Sequence, residues 1–407
     1  MNEAGILIGS AAVFAYAMLA RRLSGWIVTP PLFFLALGWG LGEAGLIHFD
    51  GAELGLHILA EITLVILLFS DATMIDAGAL RRRFIWPERM LVVGLPVAMV
   101  LGTALALLLL PGWSLWEAAL IAAILAPTDA ALGQAVVTNK AVPERVRRAL
   151  TVESGLNDGL ALPAVLFFGC MAVGGVHDNI QSSWLVFAAE QIGLGALAGA
   201  AIGWLGGKAV RHAAETRLTS ETFEGIGALA LAGLAYFGSV AIGGNGFLAA
   251  FVGGLAFGQA TKQRCRFVGE FMEAEGQVLV WLTFLLVGAV LMPMAARHIE
   301  PVAIFMILMS LLIVRPMAIW LSLWGTDASP KVKVFMGWFG PRGLATVLFA
   351  LLVVGDLEAL ERGEEILTIA AMAVGLSALL HGVTAAPAAR RFGKPAGHDA
   401  EAAEGVG

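Results

Sequence analysis

Apolar residues in this chain come in long unbroken runs of similar length, separated by short polar breaks. The runs fall near 5–20, 26–46, 55–72, 90–110, 117–138, 149–173, 184–206, 223–242, 246–259, 271–292, 302–324, 333–355 and 365–387. About 20 apolar residues cross a bilayer as a helix, so the pattern predicts an all-α polytopic membrane protein with about 13 transmembrane spans. Turn sequences such as Pro111-Gly112 and Gly243-Gly244-Asn245-Gly246 punctuate the runs.

Composition agrees with that pattern. Hydrophobic residues make up 59% of the 407 and charged residues 14%, with a mean hydropathy of +0.84. Soluble domains run near 45–50% apolar and about 25% charged, so this chain could not clothe a water-facing surface. A soluble enzyme, a nucleic-acid binder and a disordered regulator are excluded. The 50 glycines are scattered without a triplet period, which excludes a collagen-like chain. The net charge of −6 says little, because location outweighs sum in a membrane protein. Two cysteines, Cys170 and Cys265, fall near opposite faces of the bilayer on this topology and predict no disulfide.

Charge placement orients the spans. All but four of the 25 Lys and Arg residues lie in alternate connections: Arg21 and Arg22, then Arg81, Arg82, Arg83 and Arg89, and so on to Arg390, Arg391 and Lys394. The intervening connections hold only Arg297 and Arg362. A miscounted helix would scramble this alternation, so the amino terminus is placed outside and the carboxyl terminus in the cytoplasm. The first run carries Glu3 before it and Arg21-Arg22 after it, the reverse of a signal peptide, and is read as a retained helix. Residues 389–407 are read as a short disordered cytoplasmic tail, and no long soluble segment suggests a nucleotide-binding or regulatory domain. The histidines, His381 among them, are assigned to span ends, and Glu61 and Glu275 to structural contacts. The Trp residues are assigned to the membrane interface.

Ionisable groups within spans are costly and persist where they line a pathway or pair with each other. Here they are Glu61, Asp71, Asp129, Glu153, Asp158, Glu275, Arg315 and Arg342. Span five is interrupted at Pro127-Thr128-Asp129, where a mid-helix proline frees carbonyls. The break fits oxygen ligands facing a polar cavity, or a proline kink closed by a Thr–Asp cap. Span six carries Glu153-Ser154-Gly155-Leu156-Asn157-Asp158, in which Glu153/Asn157 and Ser154/Asp158 each share a helix face. These hard oxygen donors suit Na⁺, Li⁺ or H⁺, or serve a purely structural polar network. No Cys/His cluster has transition-metal spacing. Span twelve is interrupted at Gly340-Pro341-Arg342-Gly343. The two breaks sit in the fifth span of each half, and the odd offset between halves gives them opposite orientation. Paired interruptions in inverted repeats point to a transporter's midplane site. The half-helix ends need a compensating charge there, and Glu153 with Arg342 is the expected salt bridge.

These three motifs together resemble the monovalent cation:proton antiporter superfamily, and Asn157-Asp158 is similar to its NhaP/NHE-type (antiporter-1) branch, whose members are typically electroneutral. The resemblance runs over essentially the whole chain. Phe69-Ser70-Asp71-Ala72 resembles the family's acidic turn in span three more loosely. What the resemblance implies is a core ion-transport domain (89–183 and 301–388) moving against a scaffold and dimerisation domain (1–88 and 184–300). It implies Asp158 as the carboxylate that binds ion or proton, with Asp129, Ser154, Thr128 and, less firmly, Asp71 beside it. It also implies an organising network of Glu153, Asn157, Arg342 and Arg315, with Arg315 able to compete for the acidic partners. No cofactor and no catalytic residue are implied.

The function expected is Na⁺ (or Li⁺)/H⁺ exchange, one for one, in a bacterial inner membrane as a homodimer. Rival readings are K⁺/H⁺ exchange at the same site, a cation channel, and an intramembrane aspartyl protease. The protease's usual Gly-x-Gly-Asp pattern is absent.

Overall fold

The computed structural model describes residues 3–23, 29–47, 52–75, 85–129, 132–137, 139–174, 181–261, 266–356 and 360–392, and these are helices and short connections. In chain order they are α1 (Glu3–Leu23), α2 (Pro30–Glu43), α3 (Ala52–Thr73), α4 (Ile85–Leu109), α5 (Leu115–Ile124) and α6 (Gln134–Val137). Then come α7 (Glu144–Gly174), α8 (Gln181–Glu215), α9 (Glu221–Val240), α10 (Gly246–Thr261) and α11 (Arg266–His298). Last are α12 (Pro301–Ser322), α13 (Pro330–Trp338), α14 (Leu344–Asp356) and α15 (Gly363–Phe392).

Among the described residues eight helices are long and apolar enough to cross a membrane, with four shorter apolar helices at Leu7–Ala20, Leu115–Ile124, Gly246–Thr261 and Leu344–Gly355. The predicted count is larger because spans five and twelve are each broken into two pieces, α5 with α6 and α13 with α14, and because spans one, two and nine fall on α1, α2 and α10, whose apolar stretches are shorter. The last helix also runs on to Phe392, so residues 389–392, read as the start of a disordered tail, are helical. Cys170 is a free, buried thiol, while Cys265 and Arg81–Arg83 lie outside the described residues.

Without a hydrophobic drive between helices in lipid, close packing holds them together, and small residues permit it. Helix α2 lies on α11 where Gly38 and Gly42 meet the backbone of Leu285 and Ala289, and Gly288 meets Leu35 in return. Helix α10 is clasped on two sides. Gly199 and Gly203 of α8 meet the backbone of Ala249 and Gly253, and Gly254 and Gly258 meet the backbone of Phe69 and Thr73 in α3.

The two halves inferred from the breaks share a second device. Helices α4 and α12, spans four and eleven, each contain one π-helical turn, Met90–Gly94 and Ser310–Val314. Each turn is followed at the second position by a proline, Pro96 or Pro316. Proline has no N–H to give the preceding turn and its ring crowds the carbonyl there. The chain answers by widening one turn: Leu95 N–H donates to Met90 O, and Arg315 N–H donates to Ser310 O.

Candidate functional site

Helix α5 begins at a capping box, in which Ser114 Oγ accepts from Glu117 N–H and Glu117 Oε2 accepts from Ser114 N–H. It ends at Ile124, because Pro127 cannot continue it, and the chain runs on without helix through Ala126-Pro127-Thr128-Asp129. Helix α13 begins at Ser329-Pro330 and stops at Trp338, again ahead of a proline, and Leu344 restarts the span as α14. The two extended stretches meet: Asp129 N–H donates to Pro341 O at 2.8 Å.

Charges from one break satisfy the helix end of the other. Arg342 Nη1 donates to Ala126 O at 2.6 Å and Pro127 O at 3.0 Å, the free carbonyls beyond α5. Asp129 Oδ2 accepts from Leu344 N–H at 3.1 Å, at the start of α14. A cation on a carbonyl end and an anion on an N–H end are the favourable signs for helix dipoles. Two glycines make room. A Cβ at Gly343 would run into the Asp129 carboxylate, and one at Gly340 into the Arg315 guanidinium.

Glu153 sits beside this crossing, on α7, and it is not paired with Arg342 as expected. Arg315 holds it in a buried bidentate pair, Nη1 to Oε1 at 2.6 Å and Nη2 to Oε2 at 3.0 Å. The reason is geometric: Arg342 is committed to two carbonyls, whereas Arg315, delivered by the π turn of α12, reaches across Gly340 to α7. Both arginines are almost fully buried, at 4% and 1% exposed.

Thr128 is the hub of the remaining polar groups. Both Glu153 oxygens accept from Arg315, and Thr128 Oγ1 donates to Glu153 Oε2 at 3.2 Å. Its single proton is then spent. Asn157 Nδ2 donates to Thr128 Oγ1 at 2.6 Å, and in the 3.1 Å contact with Ser154 Oγ the serine is the donor. The Thr128 hydroxyl is therefore saturated, while Ser154 keeps both lone pairs. One turn further along α7, Asp158 Oδ1 is buried without a hydrogen-bond partner, and so is Asn157 Oδ1. Asp71 is exposed at the end of α3, with its Cβ 3.9 Å from where a Cβ on Gly155 would stand. The structure thus gathers Thr128, Glu153, Ser154 and Asn157 into one network, tied to Arg315, with Asp129 and Arg342 at the crossing and Asp71 against α7.

The sequence reading missed one residue. His381, assigned to a span end, is buried in α15 at 1% exposed. Its Nε2 lies 2.9 Å from Trp338 O, the last carbonyl of α13, and donates to it. Its Nδ1 lies 3.1 Å from Ser377 Oγ, which accepts from Arg342 N–H at 2.6 Å. The spacing of Ser377 and His381, four apart on an apolar helix, was the available signal.

Among the described residues no group of three or more His, Cys, Asp or Glu could hold a metal ion as a resident cofactor. What the geometry offers is an unpartnered, buried carboxylate oxygen on Asp158 beside the Ser154 hydroxyl. A buried carboxylate oxygen with no donor is costly when charged and empty.

A model of the family described as "Sodium/hydrogen exchanger, transmembrane" matches residues 9–391. The chain is 28% identical over 395 residues to the K(+)/H(+) antiporter NhaP2 of Shewanella sp. (strain MR-4), covering 94% of this chain and 66% of that protein. It is 28% identical over 370 residues to the K(+)/H(+) antiporter NhaP of Alkalimonas amylolytica, covering 86% of this chain and 60% of the relative. It is 29% identical over 278 residues to the Na(+)/H(+) antiporter 2 of Zygosaccharomyces rouxii, covering 63% and 34%. The chain thus spans less than two thirds of these relatives' length. In fold it is similar to the sodium proton antiporter MjNhaP1 from Methanocaldococcus jannaschii at pH 8, with a TM-score of 0.77 at 18% identity, covering 93% of this chain and 98% of that one.

Proposed function

Because the chain belongs to the sodium/hydrogen exchanger family, we propose that it is a secondary active antiporter exchanging a monovalent cation, Na⁺ (or Li⁺), for a proton at Asp158. The observation that carries this reading is the buried, unpartnered Oδ1 of Asp158, one turn above the unspent lone pairs of Ser154. A proton or a cation relieves the buried charge, and the two exclude each other at one oxygen. Alternate occupancy combined with alternating access gives one cation for one proton. Asn157 adds no second charge beside Asp158, which supports an electroneutral cycle.

In this reading Asp158, Ser154, Asp129 and a Thr128 backbone oxygen face the ion, and Asp71 marks its approach. The Thr128 hydroxyl, with Glu153, Asn157 and Arg315, sets the geometry of α7, and Arg342 holds the crossing. Residues 89–183 and 301–388 form the moving core, and 1–88 and 184–300 the scaffold through which two copies associate in an inner membrane. The positive-inside alternation supports an external amino terminus. The glycine-clasped packing of α2, α3, α8, α10 and α11 supports a rigid scaffold.

A second reading, K⁺ in place of Na⁺, is favoured by the names of the bacterial relatives that match over most of this chain. Carboxylate and hydroxyl oxygens do not by themselves fix the ion. Both readings are tested in acid-loaded proteoliposomes holding a pH-sensitive dye, with Na⁺, Li⁺ and K⁺ added separately, with and without a potential clamp. Alkalinisation by Na⁺ or Li⁺ that is insensitive to the clamp and absent in Asp158→Asn supports the first reading. A response to K⁺ alone supports the second. Exchange by Asp158→Asn at the wild-type rate would remove the site assignment.

A further inference from the structure

Helix α7 carries two parallel stripes at spacing four, Ser154 with Asp158 and Gly155 with Gly159, the second without side chains. Each glycine is met by a residue of another helix. Asp71 of α3 stands opposite Gly155 and is exposed. The ring of Phe251, on α10, fills the place that a Cβ on Gly159 would take, its Cγ, Cδ2 and Cε2 all inside van der Waals reach. Phe251 is 4% exposed and Gly159 is buried. The surroundings of Asp158 are thus polar toward the amino-terminal end of α7, where Asp71 is exposed, and apolar and closely packed one residue toward its carboxyl-terminal end.

Phe251 is also held in place. Its helix is fixed by Ala249 and Gly253 against Gly199 and Gly203 of α8, and by Gly254 and Gly258 against the backbone of Phe69 and Thr73. With both neighbours locked, the contact breaks when α7 moves against α10. We propose that Phe251 is the gate of the exchange site, a positioning residue that seats on Gly159 and bars ion and water from the carboxyl-terminal side of α7. Release of the ring and the change of access are then one motion. The inference rests on the exchange reading above, because a gate has meaning only for a site with two accesses.

The test uses the full chain in proteoliposomes. Phe251→Ala opens the sealed side, and the cation-independent proton leak rises several-fold. Gly159→Ala cannot seat the ring, and exchange falls by about tenfold or more. The double variant relieves the clash and partly refills the gap, so it exchanges faster than Gly159→Ala and leaks less than Phe251→Ala. Phe251→Leu, which keeps an apolar plug, guards against a folding defect. A readout independent of exchange is Ser154→Cys, with Cys170 and Cys265 replaced, labelled by an impermeant thiol reagent from each side. One-sided labelling that becomes two-sided in Phe251→Ala supports the gate, even if no cation proves to be exchanged, in which case the antiport reading alone fails. Unchanged sidedness, or a double variant no better than Gly159→Ala, overturns the gate.

Discussion

The carboxylate of Asp129 and the guanidinium of Arg342 each cap the half-helix that belongs to the other's break. Asp129 accepts from Leu344 N–H at the start of α14, and Arg342 donates to Ala126 O and Pro127 O past the end of α5. Opposite charges meet opposite dipole ends, so an interrupted pair of helices is stable where water is scarce. The exchange also relieves Arg342 of any duty to Glu153. Two buried arginines therefore do different work a short distance apart: Arg315 neutralises a carboxylate, and Arg342 satisfies backbone.

That division is measurable by double-mutant cycles in thermal unfolding. Glu153→Gln combined with Arg315→Gln is expected to give a coupling above about 1.5 kcal/mol, and combined with Arg342→Gln below about 0.5 kcal/mol. Either single change at the pair leaves an unmatched buried group, at a cost of about 3–5 kcal/mol. Couplings of the reverse order would return Glu153 to Arg342.

Gly343→Ala and Gly340→Ala test the crossing from its steric side. Neither glycine has a positive φ, so alanine suits the backbone and the added methyl is the whole perturbation. It would land on the Asp129 carboxylate in one case and the Arg315 guanidinium in the other. Each change is expected to cost more than about 3 kcal/mol of stability. Gly325→Ala is the control: its φ is +75° with open space around it, and backbone strain alone should cost about 1–2 kcal/mol. Equal losses at all three positions would mean that the charges at the crossing are not the reason for the glycines.

How far this site was legible in the sequence depends on which physical signal each residue leaves. Pro127 and Pro341 announce themselves because proline in an apolar run has few tolerable explanations. Asp158 stands out because a carboxylate there is expensive. Partner choice leaves no such mark: Arg315 and Arg342 are both mid-span arginines near prolines, and only the π turn of α12 decides which one reaches Glu153. Gly340 and Gly343 read as helix breakers, yet their use is to admit side chains from elsewhere. Phe251 is one phenylalanine among 22, and nothing local distinguishes the one that rests on Gly159. His381 was passed over because its assignment came from distance to a span end, and α15 continues well past that end to Phe392.

His381 is expected to matter through hydrogen bonding. His381→Ala removes the donor to Trp338 O and the group beside Ser377 Oγ, which receives Arg342 N–H. Loss of partners for buried groups of this kind costs about 1–3 kcal/mol. His381→Gln, which can still donate and accept, should recover part of it. Thermal unfolding followed by tryptophan emission reads both effects, since Trp338 packs against the imidazole with ring centroids 5.2 Å apart. A His381→Ala protein as stable as wild type would reduce the histidine to filler.

A surface tie supplies the one pH dependence assigned outside the spans. Asp327, in the connection between α12 and α13, accepts a bidentate pair from Arg145 at the start of α7 and a 2.8 Å bond from Trp86 Nε1 at the start of α4. Arg145 also lies over the Trp86 ring, 3.8 Å from its centroid. The hydrogen bond from Arg145 first, then that from Trp86, holds the Asp327 carboxyl below the ordinary carboxylate range. A carboxyl whose folded value is depressed adds stability above its unfolded pKa, and loses it as pH falls through the folded one. Asp327→Asn should therefore melt below wild type at pH 7, with the difference closing in acid beneath the usual carboxylate value of about 3.9. High salt should narrow the gap at pH 7 as well, because the pair is exposed and screened. A gap that persisted unchanged into acid would assign the tie to shape and the Trp86 hydrogen bond, with no part for the charge.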